Sequence, residues 1–457
     1  MEQKLRQIFS GDALRLDPDS LLTYGKDWTN YYVPRPSAIV FPTASQQVFD
    51  LVKLCRQEAW AIVPSGGRTG LSGGAVATQG EVVVNFERMK KILSFSPEDG
   101  QIICEPGVIT AEIHQRAEDF GFFYPIDFGS SGSSQIGGNL ATNAGGIRVV
   151  RYGNTRNWVT GLELITGVPE RLRLNNGLIK NATGLDLRHL AIGSEGCLGL
   201  ITEVSLQLTR IPKARSLLFL GVESWEKVLK IFTISRQKVM LSAYEVISRS
   251  ALEKVREEFQ LPEPLGQNCP LYVLLEIEEP SHESMSDAEN LLDLILDESL
   301  DGTMAQSTEQ AKNLWMYREN ISEALSKTKP YKNDISVLPS KIPSFVREME
   351  SLVQNRYQDY QVVWFGHVGD GNLHINILKP ENLDMKVFLE TCRKVDVALF
   401  EIVRKYSGSI SAEHGVGLSK KDFLEYSRSP EEIQIMRSIK KIFDPDGILN
   451  PGKIFDL

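Results

Sequence analysis

Apolar residues recur at helical spacing after Ser45, with Val48, Leu51, Val52 and Cys55 on one face, and the pattern predicts a helix. Its start is marked by Thr43-Ala44-Ser45-Gln46, a capping residue with a glutamine three positions on. A short apolar run, Ala61-Ile62-Val63, reads as a strand leading into a glycine loop over 64–74. Strands over Glu81–Phe86 and Ile102–Cys104 follow, then a helix near Thr110–Phe120 that Gly121 stops. Residues 36–210 therefore read as an α+β or α/β domain with unusually glycine-rich loops. From about 214 to 400 glycine thins and charge rises. Helical segments over 224–237, 248–259, 285–298, 308–326 and 341–355 alternate with strands Leu217–Val222, Leu271–Ile277 and Val362–His367. A second hairpin strand is predicted at Leu373–Leu378, which suggests one sheet with helices over it. After about 407 glycine returns, with a helix over 430–442 and a closing loop, DPDGILNPGK (444–453).

A chain of 457 residues is too long for one core and predicts two or three domains. Apolar content of 42% and charged content of 24% are ordinary for a globular enzyme. A net charge of −9 without a long Lys/Arg block argues against nucleic acid or an anionic membrane as partner. An anionic substrate would then need a local cluster of positive groups. The first residues, MEQKLRQIFSGDALRLD, lack the apolar core of a signal peptide, and no apolar run approaches membrane-spanning length. The five cysteines, Cys55, Cys104, Cys197, Cys269 and Cys392, show no C-x-x-C spacing. They fit free thiols in a reducing, cytoplasmic setting and exclude a thiolate zinc site or an iron–sulfur cluster carried by this chain alone.

The loop PSGGRTGLSGG (64–74) has five glycines, so its backbone N–H groups can approach a phosphate, and Ser65 and Thr69 add hydroxyls. It is neither a Walker loop nor a dinucleotide G-x-G-x-x-G opening a helix. A second stretch (125–146) supplies Ser130, Ser133, Ser134, Gly137, Gly138, Asn139, Thr142, Asn143, Gly145 and Gly146, which would suit a cofactor with a pyrophosphate and a polar ring edge. A third, GSEGCLGLITEV (193–204), contributes Gly193, Glu195, Gly196 and Gly199. Late in the chain, WFGHVGDGNLHINI (364–377) reads as strand, turn, strand, so His367 and His374 can face each other across a hairpin mouth, with Asn376 on the His374 face. Two imidazoles and the carboxylate of Glu413 make a divalent-metal set, with His414 left as a base. Any one of these histidines reads more simply as a satisfied polar residue near a turn; the set favours a site.

Taken in order, the glycine loop, GGNLATNAGG, NATG-LDLRHL-IGSEG-LG-ITEV, GHVGDGNLHINI, AEHGVG and FDP-GILNPGK resemble the vanillyl-alcohol-oxidase (PCMH) type of FAD-linked oxidase. The similarity is greater to the branch holding D-2-hydroxyglutarate dehydrogenase, D-lactate dehydrogenase and the FAD subunit of glycolate oxidase. It runs from about residue 30 to the C-terminus. The resemblance implies an α+β architecture: a two-part FAD-binding domain over 1–212, a cap domain with an antiparallel sheet over 213–406, and a segment over 407–457 that completes the FAD domain and active site.

The same resemblance implies site residues. Pro64, Ser65, Gly66, Gly67, Arg68, Thr69, Gly70 and Gly73 would hold the FAD pyrophosphate. Ser130 to Gly146, Glu195, Gly196, Ile201 and Asn450 would line the rest of the cofactor. Arg68 stands where covalent relatives carry histidine, which implies non-covalent FAD, and Leu185 and Cys197 are smaller departures. His367, His374 and Glu413 would bind a divalent metal, zinc above others, beside His414 as base. Arg318 and Lys332 would contact the substrate acid, with Ser322 one helical turn after Arg318 and Asn376 as a hydrogen-bond partner; otherwise Arg318 would pair with Glu319 or Glu323 on a solvated helix. Arg151 and Tyr152 are weaker candidates for touching flavin or substrate. The implied reaction is oxidation of a D-2-hydroxy acid to the 2-oxo acid. Lactate, glycolate and 2-hydroxyglutarate stay open, with a lean to the last because Ser322 and Lys332 would suit a distal carboxylate. Electrons would pass to an external acceptor: an electron-transfer flavoprotein, a quinone, a cytochrome or an iron–sulfur subunit, with the protein peripheral at the membrane where that acceptor is membrane-bound. Homodimerisation stays open. An alkyl-glycerone-phosphate synthase and an inactive FAD-binding partner subunit are the rival readings.

Overall fold

The computed structural model describes every residue except Asn30 and 281–285. The chain divides into two compact units, Met1–Gly145 with Asn154–Ile211 and Glu413–Leu457, and Gly146–Gly153 with Pro212–Ala412. The resemblance implies a first domain running unbroken to 212 and a second changeover at 406. Instead, Gly146–Gly153 pack with the second unit, and the chain returns to the first at Glu413.

Two sheets organise the first unit. Leu14–Arg15, Ala38–Val40, Val82–Asn85 and Ile62–Ser65 lie side by side in that order, the last three parallel. Parallel strands cannot be joined by a tight turn. The helix Ser45–Glu58 makes one crossover and buries Val48, Leu51, Val52 and Cys55, the four positions its periodicity marks. Its N-cap is Ala44, one residue later than expected. Gln47, not Gln46, accepts from the Thr43 N–H at 2.8 Å. The second sheet is antiparallel, ordered Ile92–Ser96, Gln101–Cys104, Leu200–Gln207, Val159–Ile165, Arg171–Leu174. Ile102 and Val204 share a core with Ile113 and Ala117 of the helix Thr110–Asp119. The C-terminal tail joins the parallel sheet. The Ile62 N–H donates to the Ile448 carbonyl, and the Asn450 N–H to the Ile62 carbonyl, both at 2.7 Å. Buried Lys440, on the helix Pro430–Phe443, fixes that tail by donating to Asp444 and to the carbonyls of Cys197 and Leu449.

The second unit is built on one seven-stranded antiparallel sheet. Its order is Asp301–Met304, Ala214–Val222, Leu271–Glu279, Leu241–Ser248, Val362–Gly366, Asn372–Ile377, Tyr331–Ser336. Three of these strands, Leu241–Ser248, Asp301–Met304 and Tyr331–Ser336, were not predicted, nor was the helix Met385–Lys405. Successive side chains alternate between faces. One face carries Phe219, Ala243, Ile247, Leu274, Val363 and Phe365 against the helices Arg249–Phe259, Thr308–Glu319 and Ile321–Ser326. On the alternate face Tyr244 packs on Phe232 of the helix Trp225–Lys238. The helix predicted over 308–326 is broken at Asn320 into two. The one predicted over 285–298 starts outside the described residues; its described part is Ser286–Ile295 followed by a 3-10 turn over Leu296–Glu298.

Candidate active site

In the first unit the three glycine-rich segments converge. A Cβ on Gly67 would lie 2.1 Å from the Ser133 carbonyl oxygen, and one on Gly196 would lie 2.4 Å from Pro64 Cγ. Only glycine permits backbone packing that close. Gly196 also has φ +74°, the left-handed region. Two buried acceptors at this junction have no protein partner: Gln135 Oε1, beside Gly66, and Asn450 Oδ1. The Asn450 amide nitrogen is committed to the carbonyls of Gly74 (2.9 Å) and Glu195 (2.6 Å). Buried polar atoms without partners are uncommon and call for a ligand or solvent. The tight backbone cradle and the orphaned acceptors fit a polar cofactor.

Several side chains predicted to line that cofactor have partners within the protein. Ser134 Oγ shares a hydrogen bond with Thr110 Oγ1, which also accepts from Asn139 Nδ2 at 2.6 Å. Asn143 closes the short helix Ile136–Thr142 and accepts from the Arg156 N–H. Ile201 lies in the hydrophobic core with Leu162 and Val204. Each of these four side chains has a partner or a packing neighbour within the protein. Arg68 lays its guanidinium over the Tyr24 ring at 4.5 Å. Leu185 is 91% exposed, and Cys197 is buried under the tail, facing the Asn450 and Lys453 carbonyls. Arg151 and Tyr152 turn to Glu278 within the second unit rather than to the loops that precede them.

Glu195 is tied to the C-terminal tail. Its carboxylate accepts from the Val416 N–H at 2.7 Å and the Gly417 N–H at 2.8 Å, so it clamps the tail just beyond His414. Burial pushes this carboxyl above the usual range, and the two N–H donors pull it back. Glu413 and His414 sit in a bend, not an extended segment, which lets two consecutive side chains lie on one side. Glu413 Oε1 and His414 Nε2 lie 3.7 Å apart.

In the second unit, the sheet register sets a row of polar side chains on the face that carries Phe365. Lys332 pairs with Asn376 and Asp334 with His374 across one ladder, and Phe365 pairs with His374 across the next. His367 follows the strand Val362–Gly366, and its ring centroid is 5.5 Å from that of His374. Each imidazole has a buried carboxylate at Nδ1: Glu245 Oε1 at 2.7 Å for His367, and Asp334 Oδ1 at 3.6 Å for His374. Asp334 Oδ2 also accepts from the N–H of Ala412, the residue joined to Glu413. Neither acid was singled out from the sequence.

Arg318 is buried, 6% exposed, and does not pair with Glu319 or Glu323. Its Nε donates to Glu245 Oε2 at 2.6 Å, and its guanidinium lies 4.9 Å from the Phe365 ring centroid. Burial alone would raise the Glu245 carboxyl; His367 and Arg318 outweigh it and hold the group below the usual range. The helix breaks at Asn320 between Arg318 and Ser322, and Ser322 is exposed. Burial also holds the Lys332 ammonium below the usual lysine range. Beside it in the register, Asn376 is 2% exposed and its Nδ2 has no acceptor. A half-buried ammonium next to an unsatisfied amide donor is a place for an anion.

Residues 36–175 match a family described as "FAD binding domain", and residues 211–454 match "FAD linked oxidases, C-terminal domain". The chain is 50% identical to the D-2-hydroxyglutarate dehydrogenase of Stutzerimonas stutzeri (strain A1501), over 99% of this chain and 98% of the relative. It is 44% identical to the enzyme of the same name from Xanthomonas citri pv. viticola, over 99% and 96%. Among solved structures, the 4-ethylphenol oxidase from Gulosibacter chungangensis superposes with a TM-score of 0.77 at 16% identity, over 99% of this chain and 96% of that one. That likeness shows a shared fold. With both family regions matched in order and the full-length relatives this similar, the chain belongs to the FAD-linked oxidases.

Proposed function

We propose that this protein oxidises D-2-hydroxyglutarate to the 2-oxo acid, with FAD as the hydride acceptor and a divalent metal at the hydroxyl. The observation that carries the substrate is the second cationic position. Arg318, anchored on Glu245, offers its remaining N–H groups to the 2-hydroxycarboxylate head. Lys332 with the unsatisfied Asn376 amide offers a partner for a distal carboxylate that lactate and glycolate lack. The relatives named for 2-hydroxyglutarate support the same choice.

His367, His374 and Glu413 supply imidazole and carboxylate donors of the kind zinc takes, and with Nδ1 of each ring beside a carboxylate, coordination would use Nε2. A bound metal lowers the pKa of the substrate hydroxyl. His414 would take the hydroxyl proton, and FAD, when bound, would supply the acceptor for the hydride on C2. The glycine-rich segments around Gly66, Gly67 and Gly196 would hold FAD, and Arg68, where the resemblance puts a histidine in covalent relatives, would leave it without a histidyl bond. No second redox motif is present in the sequence, so an external acceptor reoxidises the flavin. No helix among the described residues is long and apolar enough to cross a membrane.

Substrate choice is tested by replacing Lys332 with Met and comparing kcat/KM for D-2-hydroxyglutarate and D-lactate. Loss of a charge-assisted hydrogen bond, about 1.5–3 kcal/mol, lowers the value for hydroxyglutarate about 10- to 150-fold and leaves lactate nearly unchanged. Equal losses for both acids would remove Lys332 from the distal site.

A further inference from the structure

Glu245 belongs neither to the cofactor loops nor to the predicted ligand set, yet it is fully buried and both of its oxygens are used. Oε1 lies 2.7 Å from His367 Nδ1, and Oε2 accepts from Arg318 Nε at 2.6 Å. The strand Leu241–Ser248 places it there, because Val246 and Ile247 pair with Gly366 and Phe365 and so bring Glu245 level with His367. One Arg318 Nη lies 3.4 Å from His367 Nδ1 and 3.5 Å from its Nε2, over the ring, so the three side chains form one packed group. We propose that Glu245 is a positioning residue that couples the two halves of substrate recognition, fixing the tautomer of a metal-binding histidine with one oxygen and the carboxylate-binding arginine with the other. The inference rests on the reaction proposed above.

The chemistry requires a carboxylate. With both oxygens accepting, His367 carries its proton on Nδ1 and presents an unprotonated Nε2, the form a metal binds. A glutamine at this position has one acceptor and one donor. If its oxygen stays with Arg318, its NH2 group faces His367 Nδ1, the proton moves to Nε2 and the metal loses a ligand. If its oxygen turns to His367, the NH2 group opposes the Arg318 Nε–H and the guanidinium shifts. Either way one function fails, and no rotation of the amide satisfies both.

The experiment uses FAD-loaded protein stripped of metal and titrated with Zn2+ against a chromogenic chelator. Glu245→Gln either weakens zinc binding about 10- to 100-fold, the usual effect of removing a carboxylate behind a ligating histidine, or raises KM for D-2-hydroxyglutarate by a similar factor. Folding is followed by flavin content and thermal melting. Should that variant not fold, a second comparison avoids an unpaired buried arginine: Arg318→Met keeps zinc affinity within about two-fold, whereas the pair Glu245→Met with Arg318→Met loses it about 10- to 100-fold. Zinc affinity and KM both within about two-fold of wild type in Glu245→Gln, or equal zinc affinity in the single and paired Met variants, would overturn the assignment. Zinc titration needs no substrate, so its outcome is separate from the proposed reaction, which falls if D-2-hydroxyglutarate leaves the wild-type flavin oxidised. A wild-type protein that binds no zinc overturns the assignment together with the metal.

Discussion

Replacing Glu195 with Gln is expected to loosen the segment that carries His414 without unfolding the unit that holds it. The carboxylate accepts two backbone N–H groups, from Val416 at 2.7 Å and Gly417 at 2.8 Å. A hydrogen bond to a charged group contributes about 1.5–3 kcal/mol net. Glutamine keeps one acceptor and sets its NH2 group against the second N–H. Part of the loss is offset, because burial already disfavours the Glu195 charge and the amide carries none. A net weakening of about 2 kcal/mol corresponds to about a 30-fold rise in local opening. Gly415, at φ +80°, would place a Cβ 2.9 Å from Glu195 Oε1, so the tail has little room to find a new contact there. Amide hydrogen exchange reads the effect directly: the Val416 and Gly417 protons exchange about 30-fold faster in the variant, while the strand Leu200–Gln207 keeps its protection. Unchanged exchange at those two amides would refute the clamp, and uniformly faster exchange would show that the substitution acts on the whole unit instead.

Three further outcomes follow from the same geometry. Arg148→Met removes the guanidinium bound to buried Glu276 at 2.8 Å and costs about 3 kcal/mol at neutral pH. Burial would raise Glu276, but Arg148 and Arg215 hold it below its ordinary value; the pair therefore stabilises above the ordinary glutamate pKa and loses its effect as pH falls through the depressed one, so urea unfolding in acid shows a smaller difference between variant and wild type. His414→Asn lowers kcat about 10²- to 10⁴-fold with little change in zinc affinity, measured by steady-state rates and metal titration. All five cysteines are buried, and burial pushes Cys55, Cys104, Cys197 and Cys392 to about 12 and Cys269 upward; a disulfide reagent titrates no fast thiol in native protein and five after denaturation.

The helix Ser45–Glu58 was legible because it is amphipathic, with one face in the core and the other in solvent. The helix Met385–Lys405 carries a similar signal, Phe388, Cys392, Val395, Leu399 and Val403 behind the capping Asp384, though it was not predicted. The strand Leu241–Ser248 is different in kind: every residue is buried, so no alternation marks it. Glu245 is hidden for that reason. A lone acid in an apolar run gives no sign that a ladder formed with residues about 120 positions on will set it against His367. His367, His374 and Asn376 stood out because a glycine-rich turn brings them together locally. Between Arg318 and Ser322 the spacing alone gave no sign that the helix breaks at Asn320. Among the glycine loops, the sequence could mark small donors but could not show which were spent inside the protein, as Asn139 is on Thr110.

The central claim is tested most directly by anaerobic mixing of FAD- and zinc-loaded protein with D- and L-2-hydroxyglutarate while flavin absorbance is followed. The account predicts loss of the oxidised flavin band with the D-acid alone, formation of one 2-oxoglutarate per flavin reduced, and slowing of that step when zinc is removed. Flavin that stays oxidised with D-2-hydroxyglutarate would contradict it.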